Sequence, residues 1–199
     1  FEHHAADTLP TRDEGGVSLT VIAGENITGG MGTVAFVGVA QLLPAMLGGD
    51  DDLTGFDPAH PVLRDAAHRF PHWRVGRSGL VWEALCPAII EQKVTGQEAF
   101  GGFRRLVRRH GEAAPGAGAG LELWLQPTPH AVAMVPSWEW LKLGVDSGRS
   151  RTLVRAARLA SSLERTLRVD HAEADRRLRS VPGIGVWTSA EVRQRAHGD

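Results

Sequence analysis

Apolar positions along this chain recur at helical spacing from residue 61 onward, and at strand-like density only near the N-terminus. Val17 to Ala23 and Thr33 to Val39 are rich in Val, Ile and Thr and flank the turn-forming stretch Asn26-Ile27-Thr28-Gly29-Gly30, which predicts two β-strands. Ala40 to Leu47 reads as a short helix ended by Gly48-Gly49. Pro61 to Phe70 predicts a helix, and Ser78 is placed to cap a second, with Leu80, Val81 and Leu85 on its apolar side and a kink at Pro87. Thr95-Gly96-Gln97-Glu98 has the spacing of a capping box. The helix after it sets Phe100, Phe103, Leu106 and Val107 on one side and Arg104, Arg105, Arg108 and Arg109 on the other. Gln92 and Lys93 therefore fall in a turn between two helices.

Gly111 to Gly120 has the composition of a flexible loop, and Thr128-Pro129 opens a brief helix. Ser137 is placed to cap a short turn with Trp138, Trp140 and Leu141. Ser150 to Leu167 predicts one long helix, with Leu153, Ala156, Ala157, Ala160 and Leu163 facing inward and Arg151, Arg155, Arg158 and Arg165 outward. Asp170 and Glu173 form a second capping-box pair before the last motif, VPGIGVWT from Val181 to Thr188. There Pro182 stops one helix, Gly183 and Gly185 permit positive φ and close backbone approach, and a second helix starts at Val186. Backbone amides exposed at such a turn suit a phosphate oxygen, although an ordinary helical hairpin uses the same spacing.

Composition adds the next constraint. The 199 residues are 42% hydrophobic and 23% charged, ordinary for a water-soluble domain. The net charge of −1 conceals an asymmetry: residues 1 to 60 hold nine Asp or Glu against Arg12 alone, so the remainder carries a net +7. A basic body behind an acidic leader fits a polyanion partner, and a solvated surface of paired charges fits equally well. The longest apolar run, Val34 to Leu47, is interrupted by Gly38, Gln41 and Pro44 and is too short for a membrane span. Cys86 is the single cysteine, so no internal disulfide is available, and its Leu85-Pro87 setting predicts a buried thiol in a reducing, cytoplasmic compartment. Asp50-Asp51-Asp52 lacks the spacing of a calcium loop, and no metal site or cofactor is expected.

VPGIGVWT at 181 to 188, preceded in order by LVWEALCPAIIEQKVTGQEAF at 80 to 100, resembles the helix-hairpin-helix base-excision DNA glycosylases, in particular the DNA-3-methyladenine glycosylase II group. The resemblance runs from about Gly55 to Asp199 and implies a mainly α, two-lobed helical domain over 55–199. Residues 1–54 then form an acidic leader and a partial, β-containing N-terminal domain. It further implies a monomeric bacterial enzyme, associated with the nucleoid, that acts on double-stranded DNA containing damaged bases and hydrolyses the N-glycosidic bond of alkylated purines. Gly183, Gly185 and Thr188 would hold phosphate, while Gln92 and Lys93 would face the gap left by an extruded nucleotide. Lys93 stands where the family has an apolar wedge, and Gln92 could instead brace the turn.

Bifunctional relatives carry a Schiff-base lysine in the second hairpin helix. Trp187 occupies that position here, which implies the monofunctional, water-dependent route. The family's catalytic Asp is expected beyond residue 199, too far along to be Asp199, so the resemblance assigns no catalytic residue in this chain. Trp82, Trp138, Trp140 and Trp187 are candidates for a base pocket, although packing is the commoner role for such residues and the one chiefly expected of each. The alternative function is a non-catalytic helix-hairpin-helix DNA-binding module.

Overall fold

The computed structural model describes residues 20–21, 34–35, 48, 55–114 and 123–199. The expected helix at Ala40 to Leu47, the Asp50 to Asp52 loop and most of the acidic leader lie outside these residues. Two short strands, β1 (Thr20–Val21) and β2 (Val34–Ala35), pair antiparallel with Thr20 opposite Ala35, within the two stretches read as β-type.

From Pro61 the described chain is almost wholly helical, as the apolar periodicity predicts. Helix α1 (Pro61–Arg69) begins with proline at its first turn, where the absent N–H costs nothing. Helix α2 (Val81–Ile90) is the centre of the core: Val81, Leu85, Cys86, Ala88, Ile89 and Ile90 are fully buried. Helix α3 (Gly96–His110) starts at the expected capping box, with both halves made: Thr95 Oγ1 accepts from Glu98 N, and the Glu98 carboxylate accepts from Thr95 N at 3.0 Å. Its Phe103, Leu106 and Val107 pack onto α2 in one cluster that also takes in Leu153, Leu163, Leu178 and Val192.

The start of α2 differs from expectation. Ser78 does not cap it; its hydroxyl accepts from Leu80 N in a turn ahead of the helix. The first-turn amides are satisfied by a residue 82 to 83 positions away: Glu164 Oε2 accepts from Val81 N at 3.0 Å and Oε1 from Trp82 N at 2.7 Å. A helix start embedded in the core has no water for its orphan N–H groups, and a carboxylate both bonds them and opposes the positive end of the helix dipole.

Beyond α3 the chain forms a strand where the sequence suggested only loop. β3 (Glu112–Ala113) pairs antiparallel with β4 (Trp124–Leu125), with Glu112 opposite Leu125. Thr128 caps α4 (Pro129–Ala133) as expected. Ser137 caps nothing, because α5 (Glu139–Lys142) has Trp138 at its N-cap without a side-chain bond.

The expected single helix from Ser150 to Leu167 is three pieces. Asp146 caps α6 (Ser147–Arg158), so the helix begins earlier than the apolar pattern suggests. It breaks at Leu159, whose ψ of 3° is outside the helical range, and resumes as α7 (Ala160–Glu164) and a 3₁₀ turn over Arg165–Arg168. That break turns Glu164 toward the start of α2. Helix α8 (His171–Arg179) is capped by Asp170, which accepts from Glu173 N; Glu173 itself bonds Arg177 instead of completing a box. The chain then turns at Val181 to Gly185 into α9 (Val186–Val192), which continues as a π-helical turn over Arg193–His197.

Among the described residues no helix is long and apolar enough to cross a membrane.

Candidate functional site

The turn after α2 and the hairpin between α8 and α9 are 91 residues apart in sequence and meet at one side chain. Gln92 Nε2 donates to the carbonyl of Gly183 at 3.0 Å and to the hydroxyl of Thr188 at 2.8 Å. One amide thus bridges the loop and the second helix of the hairpin. Thr188 is 2% exposed, with its hydroxyl taken up by this contact. Around the bridge opens a cleft of about 750 Å³, lined by Gln92, Lys93, Asp146, Arg149, Gly183, Gly185 and Trp187 among others.

Lys93 is the one non-glycine among the described residues with positive φ, at 55°. Left-handed backbone costs an L-residue roughly 1–2 kcal/mol, and such strain persists where the surroundings over-determine it. Beside this turn lies a buried arginine paired with an exposed aspartate. The Arg149 guanidinium, only 8% exposed, donates to the Ile90 carbonyl at 2.7 Å, to Asp146 Oδ2 at 2.5 Å and to the Gly144 carbonyl at 3.4 Å. It ties the last turn of α2, two residues before Gln92, to the start of α6. Asp146 reciprocates: its side chain accepts from Gly148 N and Arg149 N, and the Arg149 bond holds its carboxyl below the usual range. Neither residue was marked by the sequence reading. Asp146 carries an ordinary N-cap signal, but an arginine at helical spacing reads as a surface residue.

Replacing Arg149 with Met keeps the stem and removes the fork. The Ile90 carbonyl then loses its partner in a buried setting, at a cost of about 1–3 kcal/mol. Urea unfolding of R149M is expected to show that loss, with R149K recovering only part of it, because an ammonium cannot reach three acceptors in a fixed plane. An R149K equal to wild type would contradict the role of the fork.

The two hairpin glycines do different work. Gly183 has φ +100°, and a Cβ there would lie 2.1 Å from Thr152 Oγ1, so the hairpin rests directly on α6. Gly185 does not adopt positive φ as the sequence suggested; its backbone is extended at φ −97° and ψ −173°, and a Cβ there would meet nothing within 4 Å. Gly183 is needed by the fold. Gly185 leaves open space outside it, at the N-cap of α9, where no side chain bonds the first amides.

Of the four tryptophans considered for a base pocket, the structure brings one to the cleft. Trp187, expected chiefly to pack the hairpin, is 49% exposed on the cleft wall. Trp82 belongs to the core, and its indole N–H donates to the Pro127 carbonyl at 3.0 Å. Trp140 is likewise buried, and Trp138 stands exposed away from the cleft.

No family model matches the chain. Over 153 residues it is 26% identical to DNA-3-methyladenine glycosylase of Bacillus subtilis, covering 73% of this chain and 50% of that protein. Its fold is similar to 3-methyladenine DNA glycosylase from Archaeoglobus fulgidus, with TM-score 0.54 and 28% identity over 66% of this chain and 45% of that one. In sequence and in fold the chain is similar to 3-methyladenine DNA glycosylases. An 8-oxoguanine glycosylase/lyase from Clostridium acetobutylicum, solved with double-stranded DNA, shares the fold over 94% of this chain and 68% of its own, with TM-score 0.66 and 14% identity. The mainly helical class expected from the sequence is thus the observed one. The chain spans about half the length of the curated glycosylase it matches.

Proposed function

We propose that this protein acts in base-excision repair, binding duplex DNA across the hairpin and the Lys93 turn and serving hydrolysis of the N-glycosidic bond of alkylated purines. The observation that carries the reading is the Gln92 bridge, which locks a strained turn and a phosphate-accessible hairpin into one cleft. An extruded nucleotide leaves a gap in the stack, and a side chain on a rigid turn can fill it. Lys93 does so with its four-carbon stem, its ammonium reaching phosphate. Trp187 offers a ring face to a base, and no lysine stands in its place to form a Schiff base.

The alternative, a binding module without chemistry, has its own support. Among the described residues Asp146 is the one carboxylate lining the cleft, and it is engaged by Arg149 and two backbone amides. Incubation with alkylated duplex separates the two readings. Release of free methylated purine, with no borohydride-trapped adduct, would support the hydrolytic reading. Selective binding of a duplex containing an abasic-site analogue, without release, would favour the binding module. Neither release nor lesion-selective binding would overturn both.

The hairpin is tested by Gly185→Asp. Extended backbone and empty space accept the side chain, and Asp is a favoured N-cap, so folding stability is expected to hold or rise slightly. A carboxylate there repels phosphate, so duplex affinity is expected to fall roughly tenfold or more at low salt, with a shallower salt dependence. A G185D protein that binds like wild type would remove the hairpin from the DNA interface.

A further inference from the structure

A second groove, of about 560 Å³, is lined by residues of α4, α5 and α6 and adjoins the hairpin through Arg155. Its floor is apolar, formed by Val135, Trp140 and Val154, and one bank is a row of three arginines, Arg151, Arg155 and Arg158. These stand at i, i+4 and i+7 on α6, one stripe of the helix, next to the Thr152 stripe on which Gly183 rests. All three are exposed, and among the described residues no carboxylate lines the groove. Arg151 and Arg158 have no acidic partner among the described residues, whereas Arg155 Nη1 donates to the Pro182 carbonyl at 2.6 Å. The row therefore meets the hairpin at its middle member, Arg155.

We infer that this arginine row is a second binding track for the DNA sugar-phosphate backbone, continuing the strand held at the hairpin. The inference rests on the proposed reading of the hairpin and extends it. From Arg151 to Arg158 the helix rises about 10 Å, the axial span of about three phosphates of one strand. The chemistry of the groove fits a backbone: deoxyribose faces are apolar and meet the floor, and phosphates meet the bank. An apolar floor also lowers the local dielectric and strengthens each guanidinium–phosphate contact, for which the planar fork of arginine is suited. An acidic protein segment would meet the same charges, and the continuity through Arg155 and Pro182 decides for DNA.

The experiment measures duplex affinity by fluorescence anisotropy across a salt series, using the full chain. R151Q/R158Q leaves Arg155 and its hairpin bond intact. Its slope of log affinity against log salt is expected to be shallower by about two, since each lost phosphate contact removes about 0.9. R151K/R158K keeps both charges and is expected to keep the slope. R104Q/R168Q removes two exposed arginines from other elements, and its slope is expected to equal that of wild type. Unfolding midpoints matching wild type exclude a folding defect. A wild-type slope in R151Q/R158Q, or an equal drop in R104Q/R168Q, would overturn the track. If G185D still weakened binding in that case, the hairpin reading would stand without it; if G185D too were silent, both would fall.

Discussion

Gly183→Val is expected to destabilise the protein by about 3–5 kcal/mol, while Gly185→Val changes stability by less than about 1 kcal/mol. The two positions are the two ends of one G-x-G, separated only by Ile184. At Gly183 a β-branched residue must hold φ near +100°, which costs on the order of 1–3 kcal/mol. Its Cβ would also lie 2.1 Å from Thr152 Oγ1, 2.8 Å from Cγ2 and 3.0 Å from Cβ, so the clash is with the root of a side chain and not with a movable end. Thr152 is itself buried and bonded to the Gly148 carbonyl, so relief requires moving the hairpin away from α6. Overpacking of this kind costs about 1–3 kcal/mol. Gly185 meets neither penalty. Urea unfolding of both variants checks the contrast, and a G183V midpoint close to that of G185V would show that the hairpin does not seat on α6 as described. Thr152→Ala in the G183V background should recover part of the loss by removing Oγ1 and Cγ2.

The same contrast marks how far the sequence was legible. Local chemistry was readable where the partners are close in sequence: the Thr95–Glu98 box, the Thr128-Pro129 start and the Pro-Gly turn of the hairpin each act over three or four residues. The turn at Gln92 and Lys93 was readable as a turn for the same reason. What joins it to the hairpin was not, because a glutamine amide reaching Gly183 and Thr188 leaves no periodicity.

Long-range polar satisfaction defeats a pattern-based reading for a physical reason. Ser78 had the right chemistry for a cap, yet the amides of α2 are bonded by Glu164, made available only by the break at Leu159. Arg149 was hidden in a similar way. Its charge places it on a surface in any periodicity argument, whereas three acceptors converging from α2, Gly144 and Asp146 pay for its burial. Within the candidate site, the glycines, Gln92, Lys93 and Trp187 came from motif and resemblance, and the residues that hold them in place came from packing.

Glu83 supplies the second large effect, and it is one of pH. It lies on α2 beside Glu164, with its carboxyl pushed from 4.5 up to about 8, first by burial and then by the neighbouring Glu164 charge. Glu83 Oε2 has no hydrogen-bond partner in the structure. Glu164 spends both oxygens on the first amides of α2, whereas Glu83 has no such donors to favour its charged form, and it is Glu83 that is held toward its protonated form. The sign follows from linkage. A carboxyl whose pKa is higher in the folded state binds its proton more tightly there, so its contribution is fully present below pH 4.5 and is lost as pH rises toward 8. At about 1.4 kcal/mol per pH unit, with allowance for water reaching a group that is not fully enclosed, the span is on the order of 3–5 kcal/mol. Glu83→Gln keeps the shape and never ionises. Wild type is therefore expected to lose stability relative to E83Q between pH 5 and pH 8.5, with E83Q the more stable at the upper end, as read from urea midpoints of both proteins at each pH. A wild-type minus E83Q difference that stays constant across that range would show that Glu83 is ionised in the folded protein and that Glu164 does not hold it neutral.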